Sequence, residues 1–100
     1  MLWAVWCRDG DDVAAIRSER SKEHSAYLNA SPLRVVVAGP LTTDDGAAPA
    51  GSLLVFEAGS RREVEELVAG DPFARSGVWR SFEVRAFRMS RADIRTNGPS

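Results

Sequence analysis

One hundred residues, 44% apolar and 27% charged, describe an ordinary globular chain with room for one domain and a modest core. A net charge of −1 supplies neither the basic footprint of a nucleic-acid binder nor a polybasic membrane signal. The single cysteine, Cys7, excludes an intrachain disulfide and a cysteine-based metal cluster. No apolar run approaches the roughly 18 residues of a membrane span, and a strand-like run from Leu2 leaves no space for a secretory signal. The expected setting is therefore a reducing cytoplasm.

Leu2 to Cys7 is short, apolar and aromatic, and reads as a strand buried on both faces. Asp11 or Asp12 is placed to cap a following helix, which should run to about Ala30, before Pro32. Leu33 to Ala38 is a β-branched second strand, and Gly39-Pro40 should end its regular pairing. Thr42 to Gly51 is a polar, glycine-bearing hairpin loop, longer than most and suited to act as a lid. Ser52 to Ala58 forms the third strand. Ser60 then opens a helix with Glu63 in capping-box spacing, and Gly70 closes it. Asp71-Pro72 starts a short further turn through Ser76, with proline suited to the first helical position. Val78 to Phe87 alternates as a fourth strand with one more polar face, and Met89 to Ser100 is a tail of low apolar content.

The order βαββαβ predicts an α+β, ferredoxin-like fold: a four-stranded antiparallel sheet with both helices on one face. Residues 1–88 form the domain and 89–100 the tail. Two helices cover one face of a sheet. Leu2, Ala4 and Trp6 oppose Trp3, Val5 and Cys7, yet both sets are apolar, and Leu53 with Val55 opposes Leu54 with Phe56 in the same way. An uncovered face this apolar implies an interface, and the expected partner is a second copy packed sheet to sheet. An obligate dimer of this kind would bury on the order of 2,000 Å².

The one histidine, His24, falls in the first helix's apolar stripe: on a wheel of roughly 100° per residue, Ile16, Tyr27 and Leu28 lie within about 60° of Val13, and His24 lands near the middle of them. Arg17 and Arg20 share that arc. Polar groups on an inward face need partners. His24 can be a core histidine bonded to a backbone carbonyl, or a proton carrier at the floor of a pocket. Arginines there usually lay their stems on the core edge with the head in water; of the two, Arg20 is the better functional candidate, one turn before His24. Gly39 and Pro40 are expected in a pocket wall, where glycine permits close approach. Tyr27 can donate to a substrate, though at helical spacing it more often packs in the core. Trp3, Trp6 and Trp79 read as packing, and Cys7 as a buried, unreactive thiol. Ser25 points some 100° away from His24, so no Ser-His-Asp triad is suggested. Asp71 by itself reads as a helix N-cap.

The segments MLWAVWCRD, HSAYL, VVVAGPL, DPFARSGVW and VRAF, in this order across residues 1 to 88, resemble the YCII-related family of dimeric α+β barrel proteins. Two departures stand out: Asn29 to Pro32 holds no glycine between helix and strand, and the tail exceeds the family core. The resemblance implies the dimer, and an active site built on a His–Asp pair, here His24 and Asp71. It also implies chemistry like that of related isomerases, lyases and cofactor-independent monooxygenases, on small aromatic or lactone-like substrates. The resulting expectation is a small enzyme needing no metal or organic cofactor, with His24 moving a proton on a small organic acid or phenolic compound in an isomerisation, elimination or hydrolytic step. The alternative is a non-catalytic module that binds a small molecule or a protein, in which the same pocket recognises without turnover.

Overall fold

A computed structural model describes residues 1–93 of the chain. The elements run β1 (Leu2–Asp9), α1 (Ala14–Asn29), β2 (Arg34–Thr42), β3 (Pro49–Glu57), α2 (Arg61–Ala69), α3 (Pro72–Arg75) and β4 (Trp79–Phe87). The four strands pair antiparallel in the order β2-β3-β1-β4, the ferredoxin-like arrangement. The expected tail starts after β4, and its residues 94–100 lie outside the described residues.

The core lies on the helix side of the sheet. Trp3, Val5 and Cys7 of β1, Leu54 and Phe56 of β3 and Val84 of β4 meet Val64 and Val68 of α2 and Phe73 of α3. Helix α2 is fixed at its start by the capping box, with the Ser60 hydroxyl accepting from the Glu63 amide and the Glu63 carboxylate accepting from the Ser60 amide. Its closing Gly70 is right-handed (φ −86°), so the helix does not need glycine there for a left-handed cap. A Cβ at Gly70 would instead sit 2.6 Å from the Tyr27 hydroxyl oxygen. After α3 the chain turns through Gly77 at φ 82°, a conformation that favours glycine, into β4.

Three local expectations are corrected. Neither Asp11 nor Asp12 caps α1: its N-cap is Val13, without a side-chain hydrogen bond, and Asp12 sits at φ 54° in the preceding turn. Gly39-Pro40 does not end β2, because Pro40 pairs in register with Ser52 and the strand continues to Thr42. That is possible because β2 is an edge strand, where a residue without an N–H need not break a ladder. β3 likewise begins at Pro49 rather than Ser52, which shortens the hairpin connection; Thr43 and Asp45 bind each other within it.

Opposite the helices the sheet is open. Trp6 is 52% and Leu53 39% exposed, directly across from each other on β1 and β3, and Phe87 on β4 is 42% exposed. Among the described residues no helix is long and apolar enough to cross a membrane.

Candidate functional site

Asp71 is set by the end of α2 and the start of α3. Pro72 supplies the first residue of α3, and the Asp71 carboxylate caps it by accepting from the Phe73 amide at 2.8 Å. From α1, His24 brings Nδ1 to 2.8 Å from Oδ2 and 2.9 Å from Oδ1 of the same carboxylate. The Asp71 side chain is 1% exposed and that of His24 15%. An ionised carboxylate only accepts, so Nδ1 carries the shared proton, and in the neutral imidazole Nε2 then holds the lone pair. Among the described residues Nε2 takes no hydrogen bond, and it is not among the buried unpaired polar atoms. In the neutral imidazole such an arrangement has one nitrogen oriented and the other open to a proton.

Aromatic rings fix the imidazole's plane. It stacks on Phe73 with centroids 4.1 Å apart and planes 13° from parallel, while Trp79 meets it edge-on at 5.6 Å. Trp79 is itself held by its indole N–H, which donates to the Ser52 hydroxyl at 3.2 Å. These packed rings limit the angles the imidazole can adopt, which the hydrogen bond to Asp71 alone would not do.

Arg17 completes the cluster. Its Nε donates to Asp9 Oδ2 at 2.9 Å, and its Nη2 reaches Asp9 Oδ1 (3.3 Å), the Gly51 carbonyl (2.7 Å) and Ser52 Oγ (3.0 Å). The guanidinium carbon lies 4.7 Å from the Phe73 ring centroid. The expectation of a head in water is therefore wrong for Arg17, whose side chain is 12% exposed. The carboxylate, hydroxyl and carbonyl together offset the desolvation that keeps most arginines outside. Arg20 turns out to be the solvated one, paired with Glu23 at 3.0 Å on the surface.

The remaining expected positions divide. Pro40 lines a cleft of about 440 Å³ between α1 and the β2–β3 hairpin, together with Arg17, Ser18, Ser21 and Thr42. Arg20 lines a separate hollow of about 310 Å³ with Glu23, Pro72, Arg75 and Ser76, beside both members of the His–Asp pair in sequence. Gly39 is in register with the outward-facing Leu53, so it lies on the opposite face from His24, and a Cβ there would meet nothing within 4 Å. Its expected close approach is absent. Tyr27 donates to the Leu67 carbonyl at 2.6 Å, tying α1 to α2. Burial, and then the Asp71 carboxylate, raise its hydroxyl above the usual tyrosine range. Cys7 is fully buried, and burial first, then Asp71 and Asp9, pushes its thiol up to about 12, which keeps it protonated and unreactive.

Phe73 and Trp79 as neighbours of His24, and Asp9 and Ser52 as partners of Arg17, are not legible in the sequence pattern. Asp9 reads in sequence as the polar end of a strand, and Ser52 as the first residue of another. Only the pairing of Cys7 with Ser52 and the continuation of β1 to Asp9 bring them under Arg17. The legible signal is the i, i+7 spacing of Arg17 and His24, which puts both on one helix edge. Among the described residues no group of three or more His, Cys, Asp or Glu side chains gathers as a metal site.

The relatives of this chain carry small-molecule chemistry in their names. A solved structure, "5-chloro-2-hydroxyhydroquinone dehydrochlorinase (TftG) from Burkholderia phenoliruptrix AC1100: Complex with 2,5-dihydroxybenzoquinone", is 31% identical, with a TM-score of 0.76 over 88% of this chain and 94% of that one. The Xenovulene A biosynthesis cluster protein asL2 of Sarocladium schorii is 36% identical over 81 residues, covering 72% of this chain and 70% of that protein. A putative antibiotic biosynthesis monooxygenase from Bacteriodes thetaiotaomicron shares the fold alone, at 11% identity and a TM-score of 0.56 over 96% of this chain and 94% of that one. The model of the YCII-related domain matches residues 1–88. With its ferredoxin-like sheet, of the type found in dimeric α+β barrel proteins, the chain belongs to the YCII-related family.

Proposed function

We propose that this protein is a small general acid–base enzyme acting on a hydroxylated aromatic compound, with His24 as the proton carrier and Asp71 as its orienting partner. The observation that carries the reading is the 2.8 Å contact of His24 Nδ1 with Asp71, with Nε2 taking no hydrogen bond among the described residues. An elimination is favoured because a relative of 31% identity is described as a dehydrochlorinase in complex with a dihydroxybenzoquinone.

The steps balance with one base. Nε2 accepts a ring hydroxyl proton, and the imidazolium returns it to the ring carbon that bears the leaving group, making that carbon tetrahedral. Nε2 then accepts a second hydroxyl proton. The O–H electron pair becomes a C=O bond, and the leaving group departs with its own bonding pair, so the ring loses HX and ends as a quinone. Asp71 stabilises each imidazolium as it forms, and positioned acid–base catalysis of this type contributes typically about 10²–10⁴-fold.

The reading includes a homodimer through the open sheet face, supported by the exposed Trp6, Leu53 and Phe87. A cytoplasmic setting suits the unpaired, buried Cys7.

The direct test incubates the protein with chlorinated hydroquinones and follows quinone absorbance together with chloride release. Stoichiometric release that disappears in His24→Ala supports the proposal. Release that persists in His24→Ala, or binding without turnover across the series, overturns it; the second outcome favours a binding module.

A further inference from the structure

Ser52 puts a hydroxyl where the fold calls for carbon. It begins the stripe of β3 that faces the helices, Ser52, Leu54 and Phe56, and it is 2% exposed beside two fully buried apolar companions. A polar group at such a position needs partners. Among the described residues it has two: Arg17 Nη2 donates to its Oγ at 3.0 Å and the Trp79 indole N–H at 3.2 Å. Neither donor can accept, so both lone pairs of the oxygen are engaged and its place is fixed from two sides.

The two bonds differ in what depends on them. Without Ser52, Arg17 keeps Asp9 and the Gly51 carbonyl through three further hydrogen bonds. Trp79 keeps nothing: among the described residues Ser52 is the one acceptor of its indole N–H. Trp79 is 5% exposed and stands edge-on to the His24 ring at 5.6 Å and to Phe73 at 5.7 Å, while Phe73 stacks on His24 at 4.1 Å. The bond to Asp71 sets where Nδ1 lies, and an imidazole can still swing about it. Phe73 resists tilting of the ring, and sliding across the Phe73 face is met by the perpendicular Trp79.

We infer that Ser52 is a positioning residue, which aims His24 Nε2 by anchoring Trp79 without bonding to the histidine itself. A buried indole N–H that loses its acceptor is costly, so Trp79 shifts toward another partner and the edge contact on His24 loosens. The consequence for turnover rests on the acid–base function proposed above, since a base works only when aimed at the proton it takes. The placement of the ring does not rest on it.

The test reads the single histidine by NMR, as solvent exchange of its Nδ1 proton in the wild type, Ser52→Ala, Trp79→Phe and the double variant. Amides of the inner strand β1 measure global opening in each protein. Ser52→Ala should speed exchange of the Nδ1 proton by tenfold or more relative to the β1 amides. In the Trp79→Phe background the same substitution should add less than twofold, because the indole through which it acts is gone. An increase no larger than that of the β1 amides makes Ser52 structural only and overturns the inference. A tenfold effect that persists in the Trp79→Phe background also overturns it, because the path would then run through Arg17. If Ser52→Ala does not fold, Trp79→Phe decides: exchange unchanged relative to the β1 amides overturns the inference, and faster exchange supports it. No arm needs turnover, so a failure of the acid–base reading shows separately, as a wild-type protein inactive on the chlorinated hydroquinones.

Discussion

Arg17 and His24 stand two turns apart on one edge of α1, and both lie against the same Phe73 ring, one as a guanidinium at 4.7 Å and one as a stacked imidazole at 4.1 Å. Each is tied by a carboxylate from a different part of the chain, Asp9 at the end of β1 and Asp71 before α3. One helix edge thus draws together two carboxylates far apart in sequence, their partners sharing the Phe73 ring, and α1 has no fully buried residue of its own. That openness leaves a helix held to the domain by polar ties as much as by apolar packing, and it is these ties that the first variants remove.

Asp71 serves two structures at once, the His24 hydrogen bond and the cap of α3. Asp71→Asn keeps a capping oxygen and should cost little stability, on the order of 1 kcal/mol. Its effect on turnover should be far larger, about 10²–10⁴-fold in kcat, because an amide does not enforce the Nδ1–H tautomer. Asp71→Ala removes both contacts and should destabilise the fold by about 2–4 kcal/mol. Steady-state kinetics beside urea denaturation separates the two effects.

Gly70 and Tyr27 should show strong coupling. Gly70→Ala places a Cβ 2.6 Å from the Tyr27 hydroxyl oxygen and should destabilise the fold by about 1–3 kcal/mol. In a Tyr27→Phe background the obstructing oxygen is gone, and the nearest ring carbon is 3.5 Å away. The alanine should then be nearly neutral, since Gly70 already has a right-handed backbone. A double-mutant cycle in denaturant gives the coupling directly; additive losses would contradict the packing described.

Alkali should weaken the fold through Cys7. Burial raises its thiol from 9.0 to about 12, so above pH 9 the unfolded chain loses a proton that the folded chain retains. The stabilisation is complete below pH 9 and is lost progressively towards about pH 12. Tyr27, whose hydroxyl is also raised, adds to the same trend above its own ordinary value. Thermal melting of Cys7→Ala between pH 8 and 11 should show a shallower decline than the wild type. Native Cys7 should also resist thiol reagents at pH 8 until the protein unfolds.

The open sheet face has its own test. Trp6 and Leu53 are cross-strand neighbours on β1 and β3, and both are exposed. Leu53→Asp should convert a dimer to a monomer in sedimentation while leaving the His24 and Asp71 contact within each copy intact. A monomeric wild-type protein would contradict the sheet-to-sheet assembly.

Much of this architecture was legible in the chain, for physical reasons that differ by element. The capping box at Ser60 and the Asp71-Pro72 start are local chemistry, complete within a few residues, and they form as read. The βαββαβ order follows from periodicity, and it fixes which face the helices cover. What failed depended on neighbours in space. Pro40 stays in β2 because, among the described residues, that strand is the edge of the sheet. Arg17 is largely shielded from water because Asp9, Gly51 and Ser52 converge on it from two strands, a meeting that helical wheels do not contain. His24 and Asp71 were paired only by family resemblance, since their link crosses from α1 to α3.

The central claim is that Asp71 fixes the His24 proton on Nδ1 and leaves Nε2 as the base. Because the chain holds a single histidine, long-range proton–nitrogen correlation NMR reports its tautomer without ambiguity. With neutral imidazole, the wild type should show a protonated Nδ1 and an unprotonated Nε2, and Asp71→Asn should shift the population towards the other tautomer. A wild-type proton on Nε2, or spectra unchanged by Asp71→Asn, would contradict the account.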